Sequence, residues 1–288
     1  MGTPPGAEEH GNADRKSQLR PFSISVSAAL AASAPEGAGR ITTVHDSSEP
    51  TLQRMTMNAF AQLKATFDVA YAEFQDSPAM RLMRSPEFRP SHYASALREI
   101  YFYTRENPQL QAAMTLAFRG EQRVAVKRVM GHALAEVGHD QMALEDLEAM
   151  GIDTSSIPDG NPLHSTIPLT AYPLYLLYHH CPVAYLGQIF FLEFLPTESG
   201  EAILQVLESA GVPGNATSFL AEHAEVDVKH NRLMERHAAD LLKSERDIRE
   251  ACRAIRVCAH NYAQMLNGAF EAASRFAAVD RPVIAEVV

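Results

Sequence analysis

The sequence has little of what marks secreted or membrane-spanning proteins. It contains no tryptophan and three cysteines, Cys181, Cys252 and Cys258. Their odd number and their spacing, unlike that of zinc sites, argue against a disulfide framework, so a reducing, cytoplasmic setting is expected. No run of eighteen or more apolar residues occurs, and we therefore expect no membrane span.

Positive charge is also scarce. The chain has 25 Lys and Arg against 35 Asp and Glu, which gives a formal net charge of -10 at pH 7. A nucleic-acid-binding surface needs clustered basic residues that displace counterions from phosphate. We therefore expect no nucleic-acid partner. Hydrophobic residues make up 46% of the 288 residues, which is ample for a substantial core.

The sequence divides into two regions that differ in composition and in hydrophobic periodicity. Residues 1–48 are rich in Gly, Ala, Ser and Pro without a sustained period, so we expect a disordered or loosely ordered arm. Its apolar stretch after Arg20 is interrupted by serines, unlike a secretory signal. Over residues 49–280 the apolar residues recur at helical spacing. We predict an all-α domain of seven or eight helices there.

Three of the predicted helices matter for the site. One is expected from Glu121 to Met150, and another from Asn215 to Leu242. A third restarts at Pro182 and is expected to end near Phe194, because Pro196 follows. The first of these helices is expected to bury an apolar stripe made of Met130, Leu134 and Val137.

Acidic and histidine side chains occur at helical spacing in two of these segments. Glu136 and His139 are three residues apart in HALAEVGHD and so would share one helix face. In EHAEVDVKH a stripe about two turns long consists of His223, Asp227 and His230. Each segment therefore offers a carboxylate-x-x-His unit.

A third carboxylate belongs to Glu193, the one charge in the apolar segment YLGQIFFLEFL. Burying it without a partner would be costly, so a cation is expected beside it. Two facing carboxylate-x-x-His units with a further carboxylate are how helical bundles build dinuclear metal sites. Oxygen and imidazole donors without thiolate suit iron or manganese. From the residues alone, ordinary core or surface histidines stay open as an explanation, as does pairing of Glu193 with Arg119 or Arg128.

The order E-x-x-H, then a glutamate, then H-x-x-x-D-x-x-H resembles the haem-oxygenase-like di-iron oxidases and oxygenases, a superfamily of iron-containing redox enzymes. The resemblance covers roughly residues 121–242. It implies a haem-oxygenase-like helical bundle, two Fe(II) ions (or manganese), O2 as co-substrate and an external reductant acting as electron donor. It also implies a homodimer. The ligands it implies are Glu136, His139, Glu193, His223, Asp227 and His230.

By this resemblance the chain would be an O2-dependent oxidoreductase that acts on a small metabolite. Family members N-oxygenate amines and amino acids in natural-product pathways, or oxidatively cleave C–H or C–C bonds of fatty acids and amino acids. Our first expectation for the substrate is an amine or amino acid, and the second is an aliphatic acid. Some N-oxygenating members carry an extra carboxylate ligand one heptad before the first glutamate, where this chain has Val129.

Three alternatives stay open. The first is a metal-free thiaminase-like or quinone-cofactor-synthase-like enzyme on the same fold, for which Cys181, beside His180, is the candidate nucleophile. The second is a non-enzymatic iron-binding protein. The third is a haem oxygenase proper, in which His92 would be the candidate haem ligand.

Further residues are candidates for supporting roles. His132 precedes Glu136 by one turn, and it is a candidate for an extra metal ligand, for a hydrogen-bond partner of a ligand, or for a core contact. The tyrosines before Glu193 are candidates to line a substrate pocket, with packing as the alternative. They are Tyr172, Tyr175 and Tyr185.

Overall fold

The computed structural model describes residues 49–225 and 227–280, with the side chains of residues 59–224 and 232–280. Within these residues there are eleven α-helices and no strand, which confirms the predicted all-α class. No helix among them is long and apolar enough to cross a membrane. The predicted arm, residues 1–48, lies outside the described residues. The helices are α1 (Glu49–Gln75), α2 (Pro78–Met83), α3 (Pro90–Thr104), α4 (Asn107–Met114), α5 (Arg123–Ala135), α6 (His139–Ala149), α7 (Pro168–His179), α8 (Tyr185–Ser209), α9 (Ser218–Glu225), α10 (Asp227–Leu241) and α11 (Glu245–Glu271).

Helix α11 is the central element and packs against α1, α3 and α8. It begins with a capping box, in which the Ser244 hydroxyl accepts a hydrogen bond from the Asp247 amide at 3.1 Å. One face is buried along its whole length, including Ile255 and Met265. Burial of such side chains stabilises the fold by about 1.5–3 kcal/mol each.

Helix α8 lies unusually close to α11 because Gly187 has no side chain. A Cβ atom there would lie 2.0 Å from the carbonyl oxygen of Ala251. The next turns of α8 carry Phe190, Phe191 and Phe194, whose rings pack around Phe67 of α1. The apolar segment around Glu193 is therefore part of the core, as its sequence predicts.

The helix predicted over Glu121 to Met150 is two helices, α5 and α6. The chain turns between them at Gly138, whose φ of +103° is a backbone conformation that favours glycine. The predicted burial of one apolar stripe is also wrong, because α5 buries the face that contains Val129 and His132 instead. The stripe is exposed: Met130 by 47%, Leu134 by 74% and Val137 by 63%.

Helix α8 continues through Pro196 to Ser209 rather than ending near Phe194. A proline inside a helix removes one amide donor and disturbs the preceding turn. Hydroxyl groups around it bond to helix carbonyls: Thr197 donates to Glu193 at 3.0 Å and Ser199 to Leu195 at 2.7 Å. The helix predicted from Asn215 is described as two helices, α9 and α10.

Candidate metal centre

Three buried side chains converge on one point in the bundle: one from α5, one from the residue that follows α5, and one from α8. One nitrogen or oxygen atom from each of His132, Glu136 and Glu193 lies within 4.8 Å of the other two. Nε2 of His132 lies 2.9 Å from Oε1 of Glu193 and 3.6 Å from Oε1 of Glu136. All three residues are less than 10% exposed. This group joins two predicted ligands to the residue predicted as a candidate extra ligand.

The break at Gly138 places the next ligand candidate. Glu136 is the residue that follows α5, and His139 is the first residue of α6. Sequence spacing predicted both on one helix face, but the two residues flank a turn. They are nevertheless neighbours, because Nδ1 of His139 lies 3.5 Å from Oε2 of Glu136.

His223 reaches the same place from α9. Its ring centroid lies 4.7 Å from that of His139. Its Nδ1 lies 2.6 Å from the carbonyl oxygen of Phe219. A carbonyl oxygen only accepts hydrogen bonds, so Nδ1–H is the donor and Nε2 is the nitrogen left for a ligand.

The last two predicted ligands lie on α10. Asp227 is the first residue of that helix and His230 follows by one turn. Their side chains lie outside the described residues. Helix α10 packs against α5 and α8, the helices that carry the buried group.

The surroundings of His132 favour its protonated form, whose positive charge lies beside the carboxylates of both Glu136 and Glu193. Burial disfavours a charged His132, but the nearby carboxylates of Glu136 and Glu193 outweigh it and raise the pKa of His132 to about 9. Burial likewise opposes ionisation of Glu136, but the neighbouring imidazoles of His132 and His139 lower its pKa to about 2. The neighbouring carboxylate of Glu136 also raises the pKa of His139. Burial lowers the pKa of His223, which keeps that ring neutral.

These residues fit a metal ion. Buried carboxylates are costly unless a cation compensates for them. Within the described part of the chain, the buried Nδ1 atom of His139 has no hydrogen-bond partner. Two carboxylates and several imidazoles, without a thiolate, form the donor set that iron and manganese prefer.

Sequence reasoning missed His237. Its ring on α10 is almost fully buried and stacks on that of His132, with centroids 5.4 Å apart and 19° between the planes. Burial and the nearby positive charges of His132 and Arg128 lower the pKa of His237 to about 3. A signal was present, because His223, His230 and His237 recur at intervals of seven residues, which place them along one side of a helix.

A cavity of about 110 Å³ adjoins the centre. Glu136, Glu193 and His223 line it, and so does Tyr185, one of the predicted pocket residues. The other two predicted pocket residues are not among its lining residues. Tyr172 and Tyr175 stack on each other on α7, with ring centroids 6.4 Å apart.

A second cleft, whose wall includes Lys127, Arg128 and Glu222, also meets the centre. Glu136 and His223 line the cleft as well as the cavity, together with His132 and His139. Glu136 and His223 therefore border both the cavity and the cleft.

The structure also places the residues on which the alternative interpretations depend. Cys181 is buried, and burial raises the pKa of its thiol, which disfavours the nucleophilic thiolate. Nδ1 of His92 accepts a hydrogen bond from the Arg89 amide at 2.9 Å at the start of α3. Arg128 pairs with Asp240. The side chain beside Glu193 is that of His132, rather than that of Arg119 or Arg128.

Comparison with known proteins agrees with this architecture. The sequence model of the iron-containing redox enzyme family matches residues 94–263. No curated protein matches the chain. A crystal structure at 2.30 Å of a domain of unknown function from Shewanella denitrificans os217, which has a heme oxygenase-like fold, matches with a TM-score of 0.65. The two chains are 20% identical, and the match covers 83% of this chain and 99% of that one, so the likeness concerns the fold.

Proposed function

The chain belongs to the iron-containing redox enzyme family, and we propose that it is an O2-dependent non-haem di-iron oxidase or oxygenase acting on a small organic molecule. The observation that carries the proposal is the buried group of His132, Glu136 and Glu193 beside His139 and His223. Iron bound there, with an external electron donor, would supply reduction of O2 coupled to oxidation of the substrate. N-oxygenation of an amine or amino acid, and C–H or C–C cleavage, are the outcomes that the family resemblance suggests.

We propose two metal ions because the candidate ligand side chains are too many for a single ion. Glu136 and Glu193 would hold metal through carboxylate oxygens, and His139 and His223 through ring nitrogens. Asp227 and His230 complete the set by their spacing in the sequence. Two carboxylate-x-x-His units and a further carboxylate make the dinuclear pattern of helical bundles.

His132 has a separate task in this proposal. Its Nε2–H donates to Oε1 of Glu193 at 2.9 Å, which fixes the orientation of that carboxylate. Such partners of ligands tune both geometry and affinity. The stacked ring of His237 in turn limits how far His132 can rotate. Nε2 of His132 also keeps a proton next to both carboxylates.

The cavity favours an enzyme over an iron-storage protein. Storage needs a site and a path for the ion, but it does not need an apolar chamber that ends at the ligands. Here Glu136, Glu193 and His223 line such a chamber. The metal-free thiaminase-like alternative is weaker, because the thiol of Cys181 is buried and its pKa is raised.

Anaerobic titration of metal-free protein with Fe(II), followed by mixing with O2-containing buffer, tests the proposal. We expect about two Fe(II) per chain and rapid O2 consumption. Glu193→Ala and His139→Ala should lose more than about tenfold in iron affinity and nearly all O2 consumption. Glu208→Ala, an exposed glutamate of the same helix, and His164→Ala, an exposed histidine, are matched controls. No stoichiometric iron uptake, or O2 consumption by the two site variants equal to that of the controls, would overturn the proposal.

A further inference from the structure

The cavity beside the centre contains two polar atoms that the protein leaves unused. The phenol oxygen of Tyr93 and the amide oxygen Oε1 of Gln111 are buried and have no hydrogen-bond partner among the described residues. Tyr93 is 5% exposed and Gln111 is 3% exposed, and both line the cavity. A buried polar atom without a partner costs about 1–3 kcal/mol. Two such atoms in one chamber indicate a ligand that supplies the missing hydrogen bonds.

Several other polar side chains of the cavity wall have hydrogen-bond partners within the protein. The Thr104 hydroxyl donates to the Ile100 carbonyl at 2.7 Å, and the Ser199 hydroxyl donates to Leu195 at 2.7 Å. Tyr103 and Tyr262 hydrogen-bond to each other. Among the described residues that line the cavity, Tyr93 and Gln111 are those with a fully buried polar side-chain atom that has no hydrogen-bond partner. Much of the remaining wall is apolar. Examples of that apolar wall are Phe74, Met80, Met83, Ile189 and Leu266.

The charges around the cavity disfavour an anionic ligand. Of the described residues, neither a lysine nor an arginine lines it, and the acidic side chains that do are Glu136 and Glu193. The carboxylate of a free amino acid would be buried there without a cation from those residues, which is costly. Burial raises the pKa of Tyr93 well above its ordinary value, so its phenol stays neutral and keeps its proton to donate.

We propose that the cavity binds a small, neutral, mostly apolar alcohol or phenol whose hydroxyl donates to Oε1 of Gln111 and accepts from the hydroxyl of Tyr93. A hydroxyl group does both with one oxygen atom. The volume of about 110 Å³ is of the same order as that of an engineered cavity of about 150 Å³ that binds benzene, so the expected ligand has one small ring or a similar size.

The proposal rests on the proposed function in one respect. The bound molecule is assigned as the substrate because the cavity that holds it is also lined by Glu136, Glu193 and His223. It narrows the expected substrate from amines and amino acids to neutral compounds. Binding itself needs no iron, so the two ideas are separable by experiment.

Binding of four probes to metal-free protein at pH 7, measured by calorimetry, tests the inference. Phenol and toluene have the same size and differ in the hydroxyl group, while benzoate and phenylglycine add charge. We expect phenol to bind about tenfold more tightly than toluene, because it fills two hydrogen bonds. Benzoate and phenylglycine should bind more weakly than toluene. Because this order of affinities is measured on the unaltered chain, it tests the inference without depending on the folding of any substituted protein.

Two substitutions assign the hydrogen bonds. Gln111→Leu and Tyr93→Phe should each reduce phenol affinity about fivefold to tenfold and leave toluene affinity unchanged. Gln205→Leu and Tyr178→Phe, at exposed positions, are the matched controls. Helicity measured by circular dichroism reports folding of each variant.

Several results would overturn the inference. They are equal affinity for phenol and toluene, tighter binding of phenylglycine than of phenol, no binding of any probe, and unchanged phenol affinity in both folded cavity variants. Iron uptake measured on the same preparations reports on the proposed function separately. Phenol binding without iron uptake would leave the cavity assignment and remove the enzyme proposal. Iron uptake without phenol binding would leave the proposed function in place and overturn the cavity assignment.

Discussion

Asp146 of α6 holds the first residue of α9, Ser218, by two hydrogen bonds to one carboxylate oxygen. Oδ1 accepts from the Ser218 amide at 2.9 Å and from its hydroxyl at 2.7 Å, and Oδ2 accepts from the Phe219 amide at 3.0 Å. The Phe219 carbonyl then accepts from Nδ1 of His223. A fully buried carboxylate on α6 thus sets the start of the helix that carries a predicted ligand.

Replacing Asp146 should therefore affect both stability and iron binding. Asp146→Ala leaves the amides at the start of α9 without acceptors, and we expect a loss of about 2–4 kcal/mol in the free energy of unfolding. Iron affinity should fall because His223 is no longer held in place. Asp146→Asn, which keeps a carbonyl oxygen as acceptor, should lose less of both. Urea unfolding and Fe(II) titration measure the two effects.

The control for this prediction is Asp153. Its Oδ1 also accepts from a nearby amide, that of Ser155 at 3.0 Å, but in an exposed loop. Asp153→Ala should change the free energy of unfolding by less than about 1 kcal/mol and leave iron affinity unchanged. An Asp146→Ala protein as stable as Asp153→Ala would contradict the role given to this carboxylate.

Two glycines inside helices should respond to alanine in opposite directions. At Gly187 a Cβ would collide with the Ala251 carbonyl, so Gly187→Ala should destabilise the protein by about 2–4 kcal/mol. At Gly131 of α5 a Cβ meets nothing within 4 Å, so Gly131→Ala should stabilise it by roughly 0.5–1 kcal/mol. Thermal and urea unfolding of the pair measure this contrast. Effects of the same sign would mean that the close packing of α8 on α11 is not as described.

The parts of the site that are readable from sequence are those that depend on local spacing. The isolated charge of Glu193 in an apolar run predicted its burial, and the spacing of Glu136 and His139 predicted their proximity. The spacing did not reveal the turn between them, because HALAEVGHD alone does not say that Gly138 adopts a positive φ. Contacts between distant segments, such as that of His132 with Glu193, follow from tertiary packing and have no local signal.

The turn at Gly138 is itself testable. Any side chain is strained at a φ of +103°, so Gly138→Ala should cost about 1–2 kcal/mol of stability. It should also weaken iron binding, because the turn sets the distance between Glu136 and His139. Gly120→Ala is the control, since a Cβ there meets nothing within 4 Å and its φ is not positive. Fe(II) titration and urea unfolding of both variants are the measurements. Native iron affinity in a folded Gly138→Ala protein would speak against the importance of the turn.

The stability of the metal-free protein should fall as the pH rises from 6.5 to about 9. The pKa of His132 is about 9 in the folded chain against an ordinary 6.5, so folding retains a proton that the unfolded chain releases. This stabilisation is fully present below pH 6.5 and is lost as the pH rises through 9. The raised pKa of His139 acts in the same direction. The lowered pKa of Glu136, about 2, stabilises the fold above pH 4.5 and so adds no slope in this window.

Urea unfolding at several pH values, with a chelator present to keep the protein metal-free, measures this loss. The shift of His132 corresponds to an upper limit of roughly 3 kcal/mol at about 1.4 kcal/mol per pKa unit. His132→Gln keeps a hydrogen-bond donor for Glu193 but has no titratable proton, so most of the slope should disappear. His164→Gln, at an exposed histidine, should keep the slope of the native chain. If His132→Gln and His164→Gln lose stability equally between pH 6.5 and 9, then the proton shared by His132 and the two carboxylates is not what couples folding to pH.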